Sequence, residues 1–225
     1  MDECLPAFVR DNKYFMWPFY YLAYRGKDIN TVMHYKSLVD KFSEREYINF
    51  YSELNSISRN RRTDLNKQSI DFIADQVDEN IHEIVDVGCG SGYLLKHLHN
   101  LYPDKYYVGC DIVEHPENPA FEYIQSDIQK LNIKDGSYDL VVCCHTLEHI
   151  LKLKQAVCEL IRICRKKLII VVPCQRYYFY TLDEHINFFT HEYQLQTLMG
   201  IAPAKIVVYK KLWGDWVLVV DCERK

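Results

Sequence analysis

The run Ile84-Val85-Asp86-Val87-Gly88-Cys89-Gly90-Ser91-Gly92 carries an acidic residue out of an apolar stretch into three alternating glycines, after which Tyr93, Leu94, His97 and Leu98 open a helix. Without Cβ atoms at Gly88 and Gly90 the backbone can approach a ligand closely, and a new helix offers free N–H groups to a carboxylate or phosphate. A second apolar run, Tyr106 to Asp111, ends in a carboxylate about 20 residues further on, the separation at which an acid meets ribose hydroxyls. Asp111 is therefore the expected ribose ligand. The dinucleotide fingerprint GxGxxG, counted from Gly88, needs a small residue where Tyr93 stands, which argues against a nicotinamide cofactor.

Three histidines could move a proton near such a ligand. His145 and His149 follow the apolar run Tyr138 to Cys143, and His185 lies in Asp183-Glu184-His185-Ile186-Asn187-Phe188-Phe189. Imidazole titrates near neutrality, so a positioned histidine is the natural general base for a hydroxyl acceptor. His185 is the preferred base. His149 can act there or cap the next helix, and His145 can contribute its side chain or only its backbone.

These groups need a scaffold that gathers strand ends. Strands are expected at Glu83 to Val87, Tyr106 to Asp111, Glu122 to Gln125, Tyr138 to Cys143 and Lys167 to Val172, alternating with helical stretches as in βα units. Leu153, Ala156, Val157, Leu160, Ile161 and Cys164 mark one apolar helix face. Thr190 is the expected N-cap of a helix through Met199, stopped by Gly200, and Lys205 to Tyr209 with Trp216 to Asp221 is read as a hairpin. The predicted fold is α/β: a doubly wound, seven-stranded, mostly parallel sheet with a C-terminal antiparallel hairpin. Loops at the carboxyl ends of its strands would form the ligand crevice.

With 225 residues, 48% of them hydrophobic and 26% charged, the chain can bury one sizeable core plus an appendage. The expected division is a helical, aromatic-rich extension or lid at 1–78 and a core at 79–225. A net charge of −4 disfavours nucleic acid as partner. Nine cysteines, an odd number, of which Cys89, Cys110, Cys143, Cys144 and Cys174 sit in or beside apolar runs, read as reduced thiols of a cytoplasmic protein. The aromatic stretch Tyr14 to Tyr24 is far shorter than the ~20 apolar residues of a membrane span and contains Pro18, so no transmembrane segment is expected.

Asp86-Val87-Gly88-Cys89-Gly90-Ser91-Gly92 resembles the first motif of the class I S-adenosylmethionine-dependent methyltransferases, small-molecule branch. The resemblance extends to Asp111 with Ile112, to Gln125-Ser126-Asp127-Ile128, and to the fourth-motif segment Tyr138 to Ile150. It implies S-adenosylmethionine as cofactor, bound by Asp86, Gly88, Cys89, Gly90, Gly92, Asp111, Ile112, Asp127, Ile128, Cys144 and His145. Asp111 would then meet ribose, Ile112 would pack on adenine, and Asp127 would accept from the adenine amino group. Asp86 would order the glycine loop, and catalysis would fall to His185, His149 and Glu148.

The leading expectation is O-methylation of a small polar acceptor, a sugar, glycan or other metabolite. Glu148-His149 with His185 also resembles the divalent-metal ligands of the small-RNA 3′-terminal 2′-O-methyltransferases and the ubiquinone-pathway O-methyltransferases. There an ExxEH element holds the ion. Here His145 replaces the first glutamate, which would suit manganese, iron or zinc better than magnesium. A metal-dependent RNA 3′-end enzyme is thus one alternative, and a non-catalytic cofactor-binding scaffold is another.

Overall fold

Runs of Val, Ile, Leu and Cys with few polar interruptions suit strands covered on both faces, and four such runs, with a shorter and partly exposed edge strand, pair side by side in parallel. They are β1 (Glu83–Val87), β2 (Tyr106–Asp111), β3 (Glu122–Gln125), β4 (Tyr138–Cys144) and β5 (Cys164–Pro173). β6 (Ile206–Leu212) and β7 (Asp215–Asp221) complete a seven-stranded sheet of order β3-β2-β1-β4-β5-β7-β6, in which β7 runs antiparallel to both of its neighbours. The doubly wound sheet and its closing hairpin are as the sequence predicts.

The computed structural model describes residues 5–54, 61–114 and 118–223. The chain divides into two compact units, Arg62–Gln175 with Phe188–Lys225, and Met1–Arg61 with Arg176–Asn187. The division drawn from sequence at residue 78 falls inside the first of these, because α6 (Lys67–Ala74) buries Ile70, Ile73 and Ala74 against the sheet.

Period-two alternation sorts the strand residues between two cores. Val85, Val87, Val141, Cys143, Leu168 and Ile170 face α8 (Leu153–Ile163) and α9 (Glu192–Met199). Ile84, Leu140, Val142, Ile169 and Val171 face α6 and α7 (Tyr93–Leu101). Every described cysteine is free, and all but the exposed Cys158 are buried or half-buried.

Some boundaries differ from the sequence reading. β5 begins at Cys164, before the expected Lys167, because α8 ends at Ile163 and the chain passes directly into the strand. Its cationic start is tolerated there because Arg165 and Lys166 both reach the buried Asp139 carboxylate. The N-cap of α9 is His191, not Thr190: the Thr190 hydroxyl is committed to the Gln175 carbonyl at 3.2 Å. Gly200 ends that helix at φ +71°, as expected.

The other unit is helical: α1 (Ala7–Arg10), α2 (Lys13–Ala23), α3 (Ile29–Met33), α4 (Tyr35–Leu38) and α5 (Glu44–Glu53). Ser43 and Glu46 form a capping box at the start of α5, and Phe50 stacks on Tyr35 at 4.6 Å. These helices hold the 176–187 segment through its backbone. Arg10 donates to the Tyr180 carbonyl (3.0 Å) and the Tyr20 hydroxyl to the Thr181 carbonyl (2.5 Å). Lys36 donates to the carbonyls of Tyr178 (2.6 Å) and Phe179 (3.0 Å) and to Thr181 Oγ1 (2.8 Å). Burial pulls the Lys36 pKa down to about 7, and the three acceptors meet all three protons of the ammonium form that prevails below that value.

Candidate functional site

β1 delivers Asp86 and the glycine loop to the crevice between β1 and β4, where the strand order reverses. The loop is pinned from below: the Gly88 and Cys89 amides donate to the Cys110 carbonyl at 2.7 and 3.1 Å. Two glycines there do different work. At Gly88 (φ +81°) a Cβ would stand 2.1 Å from Thr146 Oγ1, so this position is empty for the sake of the chain after β4. At Gly90 (φ +48°) a Cβ would meet nothing within 4 Å, and this is where the backbone lies open to a ligand.

Asp111 closes the loop from β2. Its Oδ2 accepts the Gly90 amide at 2.9 Å and its Oδ1 the Val113 amide at 3.1 Å, leaving other lone pairs of a half-buried carboxylate for a ligand. Asp86 is buried, 3% exposed, and its Oδ1 has no hydrogen-bond partner in the structure. Burial first, and the neighbouring Asp111 charge second, raise its pKa to about 7. Between residues 86 and 95 there is no basic side chain to balance these acids. A site with an orphaned buried carboxylate fits a cationic ligand and opposes a pyrophosphate.

The other expected contacts are spread along the same strand ends. Ile112 is half-buried, whereas Ile128 is buried in the core under α8. Asp127 closes an Asx turn, accepting from the Gln129 amide at 2.8 Å and, through both oxygens, from the Gln129 side chain at 3.2 and 3.1 Å. Cys89 and Cys144 have thiol pKa values pushed up by burial, which leaves both as neutral packing groups.

Beyond β4 the chain turns sharply. His145 continues the ladder with its amide on the Val171 carbonyl (2.9 Å) but adopts φ +48°, a left-handed conformation uncommon for a non-glycine residue. Its ring then lies between two buried carboxylates, Nδ1 3.5 Å from Glu148 Oε1 and Nε2 3.2 Å from Asp215 Oδ1. Asp215 Oδ2 accepts from Asn66 Nδ2 at 2.6 Å and Ser69 Oγ at 2.8 Å, which fixes the carboxylate against the start of α6. Burial disfavours charge on His145, but the Asp215 carboxylate 3.2 Å away and the Glu148 charge outweigh it and raise its pKa.

The His145 side chain is thus held by two carboxylates, and its backbone amide by β5. Glu148 and the half-buried His149 follow in the short 3₁₀ turn Leu147–His149. His185 lies in the other unit, buried, with Nδ1 3.5 Å from Asp183 Oδ2.

Sequence reasoning missed Asp215, Asn66, Ser69 and Thr146. Asp215 reads as a hairpin turn residue because it follows Gly214, and only the pairing of β7 with β5 brings it to the end of β4. A carboxylate opening the apolar run Trp216 to Val220 was the one available signal.

Residues 85–172 match the family model described as "Methyltransferase domain". This stretch is a methyltransferase domain. It spans the glycine loop, Asp111, Asp127 and the His145–His149 turn. By sequence, none of the curated proteins matches the chain.

Solved structures agree on the fold. Magnesium protoporphyrin IX methyltransferase of Synechocystis, crystallised with SAH, gives a TM-score of 0.57 at 14% identity, covering 80% of this chain and 99% of its own. A SAM-dependent methyltransferase of Aquifex aeolicus gives 0.55 at 14% identity over 80% and 100%. The Haloferax volcanii protein solved in complex with the Trm112 methyltransferase activator gives 0.53 at 16% identity over 67% and 85%. The sheet therefore carries the class I methyltransferase fold. S-adenosylmethionine is the methyl donor of such domains, and the residues present fit it. Asp86 offers a buried carboxylate to a cation, Gly90 an open backbone, and Asp111 an acceptor for hydroxyls.

Proposed function

We propose that the chain transfers the S-adenosylmethionine methyl group to an oxygen of a small polar acceptor, with a histidine taking the acceptor's proton. The observation that supports this most is the titratable group at the end of β4, where His145, Glu148 and Asp215 meet beside Thr146, which itself touches the glycine loop. A displacement on the sulfonium methyl needs alignment and exclusion of water, to which orientation can contribute ~7 to 11 kcal/mol. A hydroxyl acceptor needs a base as well, worth roughly 10² to 10⁴ in rate. His145, held between two carboxylates, is suited to fixing charge and orientation, which leaves His149 and His185 as the bases to test.

The test is transfer of labelled methyl from S-adenosylmethionine to fractionated metabolite pools by the full chain, repeated for H149A and H185A with and without a chelator. The proposal expects a labelled small molecule, a rate reduced by two orders of magnitude or more in one histidine variant, and partial recovery of that variant at high pH. Label appearing only in RNA, or only in the presence of added manganese, would replace it with the metal-dependent reading. Cofactor binding without any labelled product would leave the scaffold.

A further inference from the structure

Helix α2, Lys-Tyr-Phe-Met-Trp-Pro-Phe-Tyr-Tyr-Leu-Ala, carries a single charged residue, at its first position. A helix apolar on all sides is ordinarily covered on all sides. Only one side is covered here: Met16 and Tyr20, with Tyr24 just beyond the helix end, are buried in the helical unit's core. At 100° per residue Leu22 and Tyr14 lie towards the far side, and Tyr21 and Trp17 on the flank that follows Tyr24; the four are 67%, 82%, 49% and 46% exposed. Trp17 and Tyr21 stack at 5.3 Å and present one aromatic surface, and Phe8 of α1 is 79% exposed nearby in sequence.

Three exposed cations stand at the ends of the helix, Lys13 at its first residue and Arg25 and Lys27 just beyond its last, and no acidic residue occurs from Asn12 to Lys27. The acids that bound the stretch are Asp11, which accepts the Phe179 amide at 2.6 Å, and the exposed Asp28. The whole chain carries −4, so the positive stretch is a local departure from its net charge.

Tryptophan and tyrosine, with apolar rings and polar tips, are the side chains that settle at the boundary between acyl chains and headgroups. Eleven residues make a helix of roughly 16 Å, about half of a ~30 Å hydrocarbon layer. Among the described residues no helix is long and apolar enough to cross a membrane.

We propose that α2 is a membrane-surface element. It lies in the plane of an anionic lipid surface, with Tyr14, Trp17, Tyr21 and Leu22 at the acyl boundary and Lys13, Arg25 and Lys27 on the headgroup anions. The methyltransferase would then work on or near a lipid surface as a peripheral protein. The inference does not depend on the choice of catalytic base.

The experiment is co-sedimentation of the full chain with phosphatidylcholine vesicles, with and without phosphatidylserine, at low and high salt. The expected result is binding at least about tenfold tighter to the phosphatidylserine vesicles, weakened by salt. The charge variant K13E/R25E/K27E should lose that preference, and the aromatic variant Y14S/W17S should lose binding to both compositions. Both variants alter exposed residues and should keep the wild-type thermal unfolding midpoint, which separates lost docking from lost folding. No preference for phosphatidylserine, or equal binding by the variants, would overturn the proposal. A wild-type dimer in light scattering that Y14S/W17S dissociates would also overturn it, assigning the face to a second copy of the chain.

Discussion

Asp86 invites a quantitative test because its carboxyl group is buried and its Oδ1 has no hydrogen-bond partner among the described residues. Its pKa rises from 3.8 to about 7, and about 3 units at 1.36 kcal/mol each correspond to ~4 kcal/mol. Because the folded state holds this proton more tightly than the unfolded state, the contribution to stability is complete below the unfolded pKa. It then declines by about 1.4 kcal/mol per pH unit from about pH 4 to about pH 7, and is flat above.

D86N removes the titration and keeps the shape. Urea unfolding of the cofactor-free chain should therefore show D86N gaining on wild type across that window, to a difference of up to ~4 kcal/mol at pH 8. S-adenosylmethionine affinity should move the other way, falling roughly ten- to a hundredfold on losing a charged partner. A variant no more stable than wild type at pH 8, with a parallel pH dependence, would refute the claim that this carboxylate is stored at a cost for a cationic ligand.

The two glycines should separate folding from binding. G88A drives a Cβ to 2.1 Å from Thr146 and should lower the thermal midpoint sharply. G90A, with open space around it, should cost about 1 kcal/mol from its positive φ while abolishing cofactor binding by calorimetry. His145 should act as a counter-ion. Its raised pKa means its contribution is full below about pH 6.5 and is lost as pH rises through the higher folded value. H145A should then cost ~3 kcal/mol in urea unfolding at pH 6 and clearly less at pH 9, and an equal loss at both would remove the charge argument.

Strand identity and order of types were legible because they depend on short-range pattern: Val, Ile and Cys runs ending at Val87, Asp111 and Cys143 suit strands covered on both faces. The glycine loop was legible for the same reason, since the residues that shape it are contiguous. Where the two readings part, the cause is a partner distant in sequence. Thr190 does not cap α9 because Gln175 takes its hydroxyl. Gly88 lacks a side chain for Thr146 rather than for the ligand alone.

The role of His145 had to wait for the fold. One carboxylate, Glu148, is three residues away and visible in the sequence, but the other arrives from a hairpin 70 positions later. Composition also told that residues 14–24 are aromatic, while only tertiary packing decided which side of α2 is buried and which is left for something else. Local sequence sets what each segment can form and which ligand chemistry its loops can serve. The protonation of Asp86 and His145 is set instead by burial and by charges that meet only across the sheet, and those exist only once the chain has folded.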